Sequence, residues 1–221
     1  MPLKEKRSAL RAIWRDKMHV EPRALQLLPA HVARSYEHIW QPAQLVMAEL
    51  EVLPLGLLRL WQGSERGHVV FTHRPSGYQP GRQPWHDTTL ESACYLSLTD
   101  LREDKRHAMR AVFNLLDHLL GSDAREGGPW LSDGAGSTPA LRDVGTRFAK
   151  IYALGYGQAE LGAETTHDYL AQTLWLYLRD PRQLNVLDPL VHRLYHNTLM
   201  NEGFWQGRSI PHRSRGSPQG G

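Results

Sequence analysis

Asn114 and His118 stand four residues apart in a stretch whose apolar residues recur at helical spacing. On a helix, positions i and i+4 share a face, so these two side chains project to the same side. Imidazole is the commonest protein ligand to a transition metal and titrates near neutrality. A neutral side-chain amide is a poor metal ligand but a good hydrogen-bonding group. The same spacing recurs in His167-Asp168-Tyr169-Leu170-Ala171-Gln172, where Asp168 and Gln172 lie one turn apart. A carboxylate is the natural complement of an imidazole, as a fellow metal ligand or as a hydrogen-bond partner. His118 and Asp168 are therefore the pair to follow, with His107 and His167 as further imidazoles within sequence reach of them.

Two helices must position this pair. The first reads from Arg106 to Gly121, with Met109, Val112, Phe113, Leu116, Leu119 and Leu120 on its apolar face. His107, Ala111, Asn114 and His118 fall on the opposite face, which is expected to point away from the densest packing. Asp100 and Glu103 form a D-x-x-E start, and Gly121 is a helix stop. The second helix, His167 to Leu178, is apolar nearly all round and is expected to be buried. Between them lies a stretch rich in Gly, Ser and Asp, and then a helix opened by Thr138-Pro139 and closed at Gly155.

Before the first helix the pattern predicts strands. Leu55–Trp61 and His68–Thr72 read as a hairpin, residues 74–88 as an ordered loop holding Tyr78 and Trp85, and Ser92–Leu98 as a strand. Helical pieces are expected within residues 1–20, 23–28 and 31–39, and residues 43–52 fit helix or strand. Residues 182–200 read as a last helical segment, interrupted at Asp188-Pro189. The fold class is α+β, mostly helical, with a small β-sheet. Residues 1–207 read as one domain and residues 208–221 as a mobile basic tail.

Composition narrows the function. With 221 residues and 41% hydrophobic content the chain can bury a core. Its formal charge is only +3, and the basic residues are scattered, which argues against a nucleic-acid partner. No apolar run is long enough for a membrane span, so a soluble, cytoplasmic protein without a membrane partner is expected. The single cysteine, Cys94, excludes an internal disulfide, and its apolar run reads as core rather than as a nucleophile. No glycine pattern matches a phosphate-cradling P-loop.

In the register of Asn114-Leu115-Leu116-Asp117-His118, the chain resembles the H-E-x-x-H helix of gluzincin-type zinc peptidases, those related to the anthrax lethal factor peptidase. There, two histidines hold zinc and the glutamate activates its water. The segment from Asp168 to Gln172 resembles the third-ligand helix of the same family. The resemblance covers about residues 90–180 and implies a zincin-like domain. It places Asn114, Leu115 and His118 at the first ligand, the base and the second ligand, Asp168 at the third ligand and Gln172 at a second glutamate. The departures remove the chemistry: leucine takes no proton, and asparagine binds zinc poorly.

The resulting expectation is a catalytically degenerate metallopeptidase-like protein, a pseudoenzyme with no catalytic residues and no resident cofactor. His118 and Asp168, helped by His107 or His167, are the only candidates for weak zinc binding. Its role is that of a binding or regulatory module, with a protein or peptide segment lodged between the central helix and the Asp168 helix. Two alternatives stay open: an active metal-dependent hydrolase with non-standard ligands, and a structural or interaction protein with no inherited site.

Overall fold

The computed structural model describes residues 2–206; the tail expected from residue 208 lies outside the described residues. The chain opens with α1 (Pro2–Lys17), runs directly into the short strand β1 (Met18–Val20), and makes a 3-10 turn at Ala24–Leu27. Three helices follow, α2 (Ala30–Ala33), α3 (Gln41–Leu50) and α4 (Leu55–Gly63), then strands β2 (His68–Thr72), β3 (Gly77–Trp85) and β4 (Thr88–Ser97). From there the described chain is helical: α5 (Leu98–Glu103), α6 (Lys105–Ser122), α7 (Pro139–Tyr152), α8 (Gln158–Leu161), α9 (Thr166–Arg179), α10 (Pro181–Leu187), α11 (Pro189–Asn197) and α12 (Glu202–Gln206). The architecture is α+β and mostly helical, with one small mixed sheet, as the sequence pattern predicts.

The sheet has the order β1-β2-β4-β3. β1 and β2 are parallel, as are β2 and β4, whereas β3 closes antiparallel on β4. Parallel neighbours need a long crossover, and α2 to α4 supply the one between β1 and β2. The register sets Val69 beside Cys94 and Phe71 beside Leu96, and all four side chains enter the main core. Val70, Leu90 and Ala93 make a small separate cluster under Trp85 and Tyr95. One hydrophobic core, from Ala9 in α1 to Trp205 in α12, joins the sheet to the helices.

Two expectations for this half of the chain are corrected. Leu55–Trp61 is a helix, not the first arm of a hairpin. Leu57, Leu58 and Trp61 recur at i, i+1 and i+4 and are buried on one face, and the Trp61 indole N–H donates to the Gly67 carbonyl at 2.7 Å. Apolar runs this short satisfy either period, and tertiary packing decides between them. Residues 74–88 are not a loop: β3 runs through Pro80 and Pro84 because an edge strand need not donate every N–H. The ladder slips between Gln79 and Arg82, where Gly81 takes φ +81° and donates its N–H to Ser92 Oγ at 3.0 Å.

The central helix is longer than expected and differently capped. Ser97 Oγ accepts from the Asp100 N–H and starts α5, while the Asp104 carboxylate accepts from the His107 N–H and starts α6. Asp100 instead accepts from the Ser76 hydroxyl at 2.6 Å. α6 ends beyond Gly121, at Ser122, with Asp123 in the left-handed region at φ 59°. Gly121 serves a close approach: a Cβ there would lie 2.5 Å from the backbone of Leu131 and Pro129. The helix has no wet face at its C-terminal half, since Leu115, Asp117 and His118 are all buried. α9 buries Tyr169, Leu170, Ala171, Thr173 and Leu174 but leaves its other side partly exposed, so it is amphipathic rather than buried all round. The break at Asp188-Pro189 separates α10 from α11, and the Asp188 carboxylate caps α11. No helix of the described residues is long and apolar enough to cross a membrane.

Candidate functional site

His118 sits at the middle of the molecule and is 1% exposed. Tyr78, brought over α6 by edge strand β3, places its hydroxyl 2.7 Å from His118 Nδ1. His118 Nε2 lies 3.0 Å from the Gly128 carbonyl oxygen. A carbonyl only accepts, so Nε2 carries the proton and donates, and Nδ1 accepts from the Tyr78 hydroxyl. This arrangement fixes one neutral tautomer. Burial pushes the His118 pKa down and the Tyr78 pKa up, so both groups keep these protonation states. No lone pair of the imidazole is left free for a metal ion.

The flat faces are covered as well. The Trp130 indole stacks on His118 with centroids 4.9 Å apart and planes 10° from parallel. The imidazole of His167 stacks on the same indole at 4.0 Å. Tyr78 meets both His118 and Trp130 edge-on. His118 and His167 are thus brought to one aromatic stack with an indole between them. His167 Nε2 is turned to Asp133 Oδ1 at 3.0 Å.

Asp168 and Gln172 face α6 but not His118. The Asp168 carboxylate forms an ion pair with Arg110, and Gln172 Oε1 accepts from Arg106 Nε at 2.7 Å. Arg110 and Arg106 lie one and two turns before Asn114 on α6, so direct side-chain pairs bridge the two helices there. His107 lies at the exposed start of α6, 3.8 Å from the Asp100 carboxylate. Leu115 is fully buried in the main core. Asn114 keeps a buried Oδ1 with no hydrogen-bond partner. Among the described residues no group of three His, Cys, Asp or Glu side chains is placed to hold a metal ion.

Asp117, the residue before His118, is held by Ser132. It is fully buried and accepts from the Ser132 backbone N–H at 2.9 Å and from the Ser132 hydroxyl at 2.6 Å. Burial pushes its pKa up to about 7 against these two hydrogen bonds. Cys94 is buried in β4 and burial pushes its thiol up, which leaves no thiolate for nucleophilic chemistry.

The residues that sequence reasoning passed over are Tyr78, Trp130 and Ser132. A large aromatic in a turn-rich stretch must dock somewhere, and Gly127-Gly128-Pro129-Trp130 carries that signal. Ser132 carries none, because its role depends on a loop folding back over α6. No family model matches the chain, and a search among curated proteins returns no match.

Proposed function

We propose that this protein is a non-catalytic binding or regulatory module, a degenerate relative of gluzincin-type zinc peptidases in which side-chain packing has replaced the metal site. The observation that carries this reading is the engagement of both His118 ring nitrogens, by the Tyr78 hydroxyl and the Gly128 carbonyl, under a stacked Trp130. The order of elements supports it: strand β4, the long helix α6, a glycine-rich loop, α7, a further loop and α9 bearing Asp168. Leu115 in the core and Asp168 paired with Arg110 support the non-catalytic part of it, since neither a base nor a third ligand faces His118. A protein or peptide segment is the partner, meeting the half-exposed aromatic rim of Trp130 and His167 beside edge strand β3. Aromatic side chains of this kind anchor protein contacts.

The test is metal analysis of purified protein soaked in zinc and desalted, with a peptidase assay alongside. The expected result is far less than one zinc per chain, unchanged in His118→Ala, and no peptidase activity. Stoichiometric zinc that disappears in His118→Ala overturns the reading.

A further inference from the structure

The loop that covers His118 also builds a cavity of about 360 Å³ on its far side, between the end of α6 and the start of α7. Arg125, Arg142, Ser122 and Ser137 supply its polar side chains, and Gly121 and Gly136 its closest walls. Its lining holds no carboxylate. The neighbouring acids are all turned elsewhere. Asp123 pairs with Arg66, and the Glu126 carboxylate lies over Gly81. Asp133 takes His167, and Asp143 is 3.7 Å from Arg147. Neither guanidinium has an ion-pair or hydrogen-bond partner among the described residues. The loop and the start of α7 hold four acids nearby and leave two arginines unmatched, which concentrates positive charge at the cavity.

The walls are set before any ligand arrives. The Ser137 N–H donates to the Leu120 carbonyl at 2.8 Å and ties the start of α7 to the end of α6. A Cβ on Gly136 would lie 1.9 Å from the Arg142 nitrogen, so that approach requires glycine.

We propose that this cavity binds a phosphate group, as the free ion or as a small phosphomonoester, between the guanidinium groups of Arg125 and Arg142. The planar guanidinium fork matches phosphate oxygens two at a time, and the cavity has room for a small ester group beyond the phosphate. The site stands apart from the His118 cluster and does not depend on the reading given for it.

The test is calorimetric titration of the full chain with inorganic phosphate and, separately, with phosphoserine, against chloride at matched ionic strength. Saturable binding of one phosphate per chain is expected. Arg125→Ala/Arg142→Ala weakens it at least about tenfold, since each lost charge-assisted hydrogen bond is worth about that much. Tighter phosphoserine binding assigns the site to a monoester, and tighter phosphate binding to the ion. Both arginines are exposed, and a melting curve checks that the double variant is folded. Arg125→Lys/Arg142→Lys, which keeps the charge and loses the fork, is expected to fall between wild type and the alanine pair. Binding no better than chloride, or equal affinity in the folded alanine pair and the wild type, overturns the proposal.

Discussion

Arg125 and Trp130 stand five residues apart in one glycine-rich loop, yet the regions they serve have opposite polar economies. Around Trp130, the Tyr78 hydroxyl and both ring nitrogens of His118 are engaged, and three aromatic rings cover one another. Around Arg125, two guanidinium groups have no partner among the described residues. The first region has His118 and His167, which the sequence singles out, and they are committed to holding the fold. The second has residues with no motif at all, and their hydrogen-bonding capacity is open. Chemistry-bearing residue types mark a candidate site, but uncommitted donors and acceptors mark a place where something else can bind.

The comparison breaks most easily at Trp130. Trp130→Ala removes the surface on which His118 and His167 stack, and it is expected to cost about 2–4 kcal/mol of stability in denaturant unfolding, at the low end for tryptophan truncations because the indole is partly exposed. A loss under about 1 kcal/mol means the cluster is not a packing centre.

Asp117 gives a smaller, pH-dependent effect. Its folded pKa of about 7 lies above the ordinary carboxylate value of 3.8. Between those values the folded chain keeps a proton that the unfolded chain releases, so Asp117 stabilises fully below the lower value and loses that contribution as pH rises through the upper one. Asp117→Asn keeps an acceptor for the Ser132 N–H and gains a donor for its hydroxyl. Its stability relative to wild type is expected to rise as pH increases from about 4 to about 7, followed by unfolding curves at each pH. The partly buried imidazoles of His19 and His68 and the buried one of His118, whose pKa values are lowered, act in the opposite direction and are common to both proteins. A difference that stays flat over this range removes the buried-acid reading.

The smallest effect sharpens the other side of the comparison. Arg142→Ala is expected to change stability by no more than about 0.5 kcal/mol in the absence of phosphate, because its exposed side chain holds nothing in the fold. A larger loss shows that the guanidinium is already committed.

Much of the helical half was legible. The α6 stripe, the Thr138-Pro139 start of α7 and the Asp188-Pro189 break follow from periodicity and capping chemistry, which act within a few residues. The strands were less so. Leu55–Trp61 satisfies either period until Trp61 finds Gly67, and Pro80 and Pro84 argue against a strand unless the strand is known to lie at an edge.

By itself, the sequence determined that Asn114 and His118 share a helix face and that Asp168 and Gln172 share another. Helical spacing requires this wherever the helices go. Only the tertiary structure decided what those faces meet. The α6–α9 packing gives Asp168 to Arg110 and Gln172 to Arg106, and a loop some ten residues away in the chain delivers Gly128 and Trp130 to His118. Side-chain partners are chosen by distance in space, while periodicity reports only distance along the chain.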